Sequence, residues 1–532
     1  MSFPTSPPFW HKMTAAALGA AVALLAAGCG SPAAETPAAS TAKGGDGELR
    51  VLIPLEPVGL NPNAVRQEGV LSVAPNLFNK LVALDTELRL QPDLAESWKV
   101  SDGGRTYTFA LRPGVTWHDG RPFTSADVRW TFEQRPDRRT NPAATALGRI
   151  ERIETPGEHT VVLRLREPWA PFVPVLAAEG TFILPRPVPG ETRDPAQEPI
   201  GTGPFRFVEW VKGDHITLAA NPHYFRRGPF VDRVTFRFEP DFGRGARLLL
   251  SGTADLFTGR PDLAGVLRLS RDPRLRVFTL PSSTRYYLGF NLRQPRLQDP
   301  RVRRAFNLGL DRRRLVSRAL LGFGVPGFGF YTPAVSWAYD VEARVPDFDP
   351  AAAATLLDAA GVRPGPDGVR LRLRFLAPDL PPSPALVAEV QAQLAPLGIA
   401  IVPEIRPYEE WIRRTLDQHD FDLSFMSGSQ GPDPENLSLR FGSHGYSQFM
   451  GYSNPELDAI LAEGARTVDL PRRAVSYFRA QRILARDLPI APLAEGMSLA
   501  VGRRGLRGLA QAEARGLVTG NDYSLVRLEA RP

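Results

Sequence analysis

A chain of 532 residues is too long for one hydrophobic core, and with 43% hydrophobic and 23% charged residues it has the balance of a soluble globular protein of two or three domains. Its net charge is +7 and its pI about 9.6, but only five of the cations are lysines and the arginines are scattered among acidic residues. There is no basic stripe interleaved with aromatics and no recognition-helix motif, which argues against nucleic acid as a partner.

The first residues read as an address. His11 and Lys12 give a thin positive start, and Met13 to Ala27 is an unbroken small and apolar run, too short to span a membrane comfortably. Leu25-Ala26-Ala27-Gly28-Cys29 closes it and resembles a bacterial lipobox. That predicts a signal peptide over 1–28 and a lipidated Cys29 that holds the protein to a membrane. Cys29 is the only cysteine, so no intramolecular disulfide is possible. Residues 29–47, mostly Ser, Pro, Ala and Gly, read as a flexible tether, and no later run reaches transmembrane length.

Leu49 to Leu55 reads as a first strand, ending in the loop that begins Glu56-Pro57. From Leu94 to Glu133 the grammar is hairpin, turn, helix. Ser101-Asp102-Gly103-Gly104 is a turn before the β-branched and aromatic run Arg105–Leu111, and Trp117-His118-Asp119-Gly120 is a second turn. Thr124 then caps a helix with Asp127 reaching back in a capping box. Turn and cap chemistry alone accounts for all of these residues. In Ile200-Gly201-Thr202-Gly203-Pro204, Gly203 reads as a backbone requirement, not a phosphate cradle, and strands follow over 206–211, 215–219 and 234–238. Tyr286 to Asn291 is a strand, and Asp299-Pro300 and Asp311 start two helices.

Gly322-Phe323-Gly324-Val325-Pro326-Gly327 fits GxGxxG, but it ends a helix where the dinucleotide fingerprint needs a strand before it and a helix after it. Cofactor binding is rejected there. The aromatic loop that follows, with Trp337, supplies candidate cleft walls. From Asp349 helices and strands alternate. A helix ends at Gly361, a strand covers 369–375, and a helix from Ser383 puts Leu386, Val390, Leu394 and Leu397 on one face. A strand over 399–405, a helix over 408–418 and a strand over 421–426 complete the pattern. Successive βα units favour a parallel sheet covered by helices. Ligands of such sheets bind beyond the carboxyl ends of the strands, which makes Ser427, Gly428, Ser429 and Gln430 candidate ligand contacts.

The ordered series AESW, DGG, Thr106-Tyr107-Thr108-Phe109, Leu111-Arg112, Gly114-Val115 and Ala126-Asp127-Val128 closely resembles the signature of the solute-binding proteins of peptide and nickel ABC importers, family 5. Ile200–Phe207, Asp299–Ala305 and Gly451–Asp458 match further marks of that family. The resemblance implies an α/β, two-lobe periplasmic-binding-protein fold (type II-like, cluster C) with an extra small subdomain in lobe one. Lobe one is expected from 48–83, 198–283 and 489–532, the small subdomain from 84–197, and lobe two from 284–488. The implied function is an extracytoplasmic receptor, acting as a monomer, that passes an oligopeptide or dipeptide to an ABC permease and ATPase. A receptor for a nickel chelate, opine or glycoside, or a sensory or chaperone module, is the alternative. Glu56 is then expected at the cleft mouth, unless it is a solvated loop carboxylate, and Tyr286, Asn291 and Trp337 on the facing lobe. Peptide receptors of the family often hold the ligand's α-ammonium with an aspartate three residues before an Asp-Pro pair. Here the pair is Asp433-Pro434 and the residue is the neutral Gln430. They also often place an aromatic where this chain has Ala143.

A catalytic constellation is not apparent. Ser427 and Phe441 stand where a nucleophile elbow needs its first glycine, and the seven histidines form no HExxH. No cofactor is expected, and no metal, although His444 leaves a chelated metal conceivable as ligand.

Overall fold

The structure, a computed structural model, describes residues 47–529 apart from 65, 66, 86, 135, 136, 138–140, 142, 260, 261, 446, 447 and 510–521. The leader, Cys29 and nearly all of the tether lie outside the described residues.

One sheet of eleven strands organises the molecule. Its strands are β1 (Glu48–Ile53), β6 (Phe205–Val211), β7 (His215–Ala220), β8 (Arg233–Phe238), β9 (Leu256–Phe257), β10 (Leu275–Phe290), β11 (Gly324–Pro326), β12 (Leu371–Pro378), β13 (Ile399–Arg406), β14 (Leu423–Ser429) and β15 (Ile490–Arg503). The spatial order is β13-β12-β14-β10-β15-β9-β1-β8-β7-β6, with β11 added on β15. A separate four-stranded antiparallel sheet is built from β2 (Ala95–Ser101), β3 (Thr106–Leu111), β4 (Ile150–Gly157) and β5 (Thr160–Leu165).

The parallel pairing expected of the βα units after Asp349 forms, while the centre of the whole sheet is antiparallel. β12 pairs in parallel with β13 and β14, and β1 with β8 and β9. The centre is antiparallel, because β10 runs against both β14 and β15. The strand expected over Tyr286–Asn291 begins eleven residues earlier, at Leu275. Pro281-Ser282-Ser283 masks it in the sequence as a loop, and there the register against β15 breaks, Pro281 facing Met497 while Arg285 faces Glu495. Before the break β10 is paired with β15 alone, and after it with both β14 and β15. The two long strands are thus the continuous connection between the halves of the sheet, and the irregularity lies between the halves.

The GxGxxG segment follows a helix that ends at Ala319, and beyond the expectation it adds a short strand, β11, paired through Gly324, Val325 and Pro326 with Gly496, Glu495 and Ala494. The helix expected over 408–418 is α-helical only to Ile412 and continues as a π turn over Arg413–Asp417.

The signature hairpin behaves as its chemistry predicts. Gly103 and Gly104 turn with positive φ between β2 and β3, and helix α1 (Ser125–Glu133) opens with the Thr124 N–H donating to Asp127 Oδ2 at 2.9 Å. His118 ties this turn to the Gly201–Gly203 segment. Its Nδ1 accepts from the Gly201 N–H at 3.1 Å, its Nε2 is 3.0 Å from the Gly203 carbonyl oxygen, and burial pushes the imidazole down to about 4. Both glycines lie against the chain at Leu77. A Cβ on Gly201 would stand 1.7 Å from the Leu77 carbonyl oxygen, and one on Gly203 would stand 2.5 Å from its carbon.

Burial follows the two halves with one exception. Leu49, Val51, Phe205, Leu218 and Phe236 belong to one core, and Leu288, Phe290, Phe306, Leu386 and Val390 to another. The largest cluster joins residues 81–183 to residues 287–490. Tyr107, Trp169 and Phe172 share it with Tyr287, Tyr331 and Tyr477. A backbone hydrogen bond, Ala170 N–H to the Ala465 carbonyl at 2.8 Å, crosses the same seam.

Candidate functional site

Side chains alternate faces along a strand, so the register of β10 and β14 sorts the candidates. Tyr287 pairs with Met426 and both enter the large shared core. Tyr286 and Ser427 pair on the opposite face, where the Tyr286 ring stacks on Phe425 at 6.1 Å against the helix-covered core. Tyr286 therefore turns away from the seam, and Ser427 is exposed at the rim of its own half. The strand also runs on through Ser429, so the expected post-strand loop is strand for three of its four residues.

Asn291 is buried, and its amide is spent on the backbone. Nδ2 donates to the His419 and Phe421 carbonyls at 3.1 and 2.8 Å, and Oδ1 accepts from the Arg293 N–H. It locks the strand end. Glu56 is committed too, accepting from Trp210 Nε1 at 2.9 Å and from the Gly213 N–H at 3.1 Å, which closes the β6–β7 hairpin. Trp337 packs edge-on against Tyr477 at 6.2 Å, with the Arg473 guanidinium 5.4 Å from its ring centre.

The β14 end keeps a built arrangement. Ser429 Oγ lies 2.8 Å from Ser283 Oγ and accepts from the Gly431 N–H, and its carbonyl accepts from Arg440 Nη2 at 2.9 Å. Gly428 has φ +152°, and a Cβ there would stand 3.0 Å from Arg440 Nη2. Gln430 is buried, its backbone N–H donating to Ser283 and its amide to the Gly428 carbonyl at 3.3 Å. Beyond it Asp433 forms a bidentate ion pair with Arg473, both bonds 2.7 Å. Glu435, beside Asp433, is pushed up to about 7 by burial and that neighbouring charge.

Next to Gly428, across the strand pairing, lies a pair that no motif announced. Arg285 faces Gly428 on one side and Glu495 on the other. Its Nε and Nη2 both donate to Glu495 Oε1, at 2.9 and 2.6 Å, and Nη2 also donates to the Tyr331 carbonyl. The residues are 1% and 5% exposed, and burial raises the Glu495 carboxyl against the pull of Arg285. Each is the only charge in its strand segment, Ser282–Phe290 and Ile490–Val501, and that was the available signal. The pair stands immediately after the register break, on the Tyr287 face. Among the described residues no group of histidine, cysteine or acidic side chains is arranged to hold a metal.

The chain matches the family model described as bacterial extracellular solute-binding proteins, family 5 Middle, over residues 89–449. It is 31% identical over 480 residues to the peptide transport periplasmic protein SapA of Salmonella typhimurium, covering 82% of this chain and 84% of that one. It superposes on the ABC transporter substrate binding protein CtaP of Listeria monocytogenes with a TM-score of 0.81 at 23% identity, over 91% of this chain and 99% of that one. The oligopeptide-binding protein AppA of Bacillus subtilis, solved with a nonapeptide, gives 0.70 at 24% identity over 92% and 100%. The sheet described above is accordingly the α/β core of a two-lobe periplasmic-binding-protein fold.

Proposed function

The chain belongs to the bacterial extracellular solute-binding proteins of family 5, and from that premise we propose that it captures peptides between its two lobes and delivers them to an ABC permease and ATPase. Members of the family are substrate-binding proteins, not enzymes. The likeness to a peptide-transport protein over four-fifths of the chain carries the peptide reading. The nonapeptide held by AppA, a protein of the same fold, supports it.

In this reading lobe one comprises 48–83, 198–283 and 489–532, with the small subdomain 84–197, and lobe two is 284–488. The register break between Pro281 and Arg285 supports a hinge in β10 and β15. The apolar cluster shared by 81–183 and 287–490 supports closure of the subdomain on lobe two. Gly428, Ser429 and Gln430 line the crevice, with Trp337 nearer its wall. Glu56, Tyr286, Asn291 and Ser427 shape the elements around it. The protein works as a monomer on the outer face of the membrane, anchored through a lipidated Cys29.

Native mass spectrometry of the protein purified without denaturant tests the peptide reading. The expected result is a ladder of co-purifying peptide masses that disappears on denaturation, whereas a single non-peptide mass would overturn it. Cys29→Ser is expected to abolish incorporation of labelled acyl chains, and retained label would remove the anchor from the account.

A further inference from the structure

Two buried ion pairs lie within the second half of the chain's fold, and only one is complete. Arg473 gives two nitrogens to the two oxygens of Asp433, its Nε to the Gly464 carbonyl and its Nη2 also to the Tyr477 hydroxyl. Arg285 and Glu495 are no less buried. Yet Arg285 Nη1 and Glu495 Oε2 have no hydrogen-bond partner among the described residues. Both Arg285 bonds to Glu495 converge on Oε1, so the second carboxylate oxygen and the far guanidinium nitrogen take no part in the pair. Buried polar groups are almost always paired, so a buried donor and a buried acceptor left open at one spot ask for a partner the chain does not supply.

The location says what kind of partner. The pair sits between two breaks in the β10–β15 register, beside Gly428, bonded to the Tyr331 carbonyl and on the face turned to the seam between the lobes. Its two charges already compensate each other. A ligand group with a net charge would therefore enter a buried site that offers it no counter-charge, whereas one residue of an extended peptide turns its own uncharged N–H and C=O to the same side, one donor and one acceptor to match the open acceptor and donor. The adjoining Gln430 is neutral as well, and the Arg440 guanidinium is taken up by Asn436, Tyr287 and Ser429.

We propose that Arg285 and Glu495 are the ligand-reading pair of the hinge, binding internal amide units of a peptide through a carbonyl on Nη1 and an N–H on Oε2. The preferred ligands then include end-blocked peptides, because the charged termini are not what is recognised at this point. This rests on the peptide-receptor reading above.

Calorimetry on the full-length protein tests it, using tri- to pentaalanines with free ends and the same peptides N-acetylated and C-amidated. The wild type is expected to bind blocked and free forms within about threefold. Replacing both charges by similar apolar volume, Arg285→Met with Glu495→Met, is expected to leave the thermal midpoint in place and weaken both forms at least thirtyfold, since a compensated buried pair is replaceable for folding but not for a ligand that uses it. Unchanged affinity in the folded double variant would overturn the proposal and leave the open atoms to a buried water. A preference above tenfold for free ends would overturn the neutral-amide assignment. If the double variant does not fold, Glu495→Gln replaces the open acceptor by a donor at constant shape and is expected to cost about tenfold, and unchanged affinity there overturns the proposal equally. No binding of any peptide by the wild type would overturn the receptor reading and this inference together, whereas binding that is indifferent to the variants overturns this inference alone.

Discussion

His118, half-buried in the turn of the signature hairpin, and Glu495, buried in β15, are both titratable groups drawn into the fold. The first has both ring nitrogens paired, to Gly201 and Gly203; the second has a carboxylate oxygen with no partner among the described residues. Among the described residues, no buried side-chain polar atom of the signature region is without a partner, whereas the Arg285–Glu495 pair leaves two. A long motif of this kind identifies a family because it builds a shared scaffold, and the residues that meet a ligand are found where the scaffold leaves something open.

The comparison can be broken most severely on the scaffold side. Gly201→Ala would put a Cβ 1.7 Å from the Leu77 carbonyl oxygen, so we expect a loss of about 4 kcal/mol or failure to fold. Urea unfolding reads it. A small effect would mean that the glycine is not a steric requirement.

The next largest effect separates the two members of the Arg285–Glu495 pair. Glu495→Leu alone leaves Arg285 buried without its counter-charge, at an expected cost of about 3–5 kcal/mol, whereas the double apolar variant is expected near wild-type stability. Equal costs in the single and double variants would show that the two charges are not coupled.

His118 sharpens the contrast through pH. Its folded pKa, about 4, lies below the unfolded value near 6.5, so the unfolded state binds the extra proton and stability falls as pH drops through that window. Up to about 3 kcal/mol is at stake there, from the size of that shift. His118→Gln should flatten the dependence between pH 6.5 and 4, and a variant with the same slope as wild type would contradict the assignment.

On the ligand side, Gln430→Asp is expected to favour free-amine peptides by about tenfold, or roughly 1.4 kcal/mol, through a charge-assisted bond. Identical calorimetric affinities would remove residue 430 from the amine end of the crevice. The smallest effect is the inverse of the His118 one. Burial raises Glu435 to about 7, so the folded state holds a proton that the unfolded state has lost, and stability declines as pH rises from the ordinary carboxylate range to 7. Glu435→Gln should remove that decline, by a modest amount because the side chain keeps some contact with solvent. A melting curve series that keeps it would contradict the shift.

Much of this fold was legible because its signals are local. The Thr124–Asp127 capping box, the Gly103-Gly104 turn and the Leu386–Leu397 apolar face need only neighbouring residues, and all three form as read. The antiparallel centre of the sheet was not legible, since β10 pairs with strands more than a hundred residues away and Pro281-Ser282-Ser283 interrupts its alternation. Strand parity, which the sequence alone did not settle here, puts Tyr286 on the opposite face from Arg285. The Arg285–Glu495 contact spans 210 residues and carries no motif. Only the presence of one charge in each apolar run pointed to it.

Hydrogen exchange with and without a saturating peptide tests the division between scaffold and hinge most directly. The account predicts added protection at the amides of Arg285 to Tyr287, Gly428 to Gln430 and Ala494 to Gly496, with the amides of Ala95 to Leu111 unchanged. Protection that appears in the signature hairpin and leaves the hinge strands untouched would contradict it.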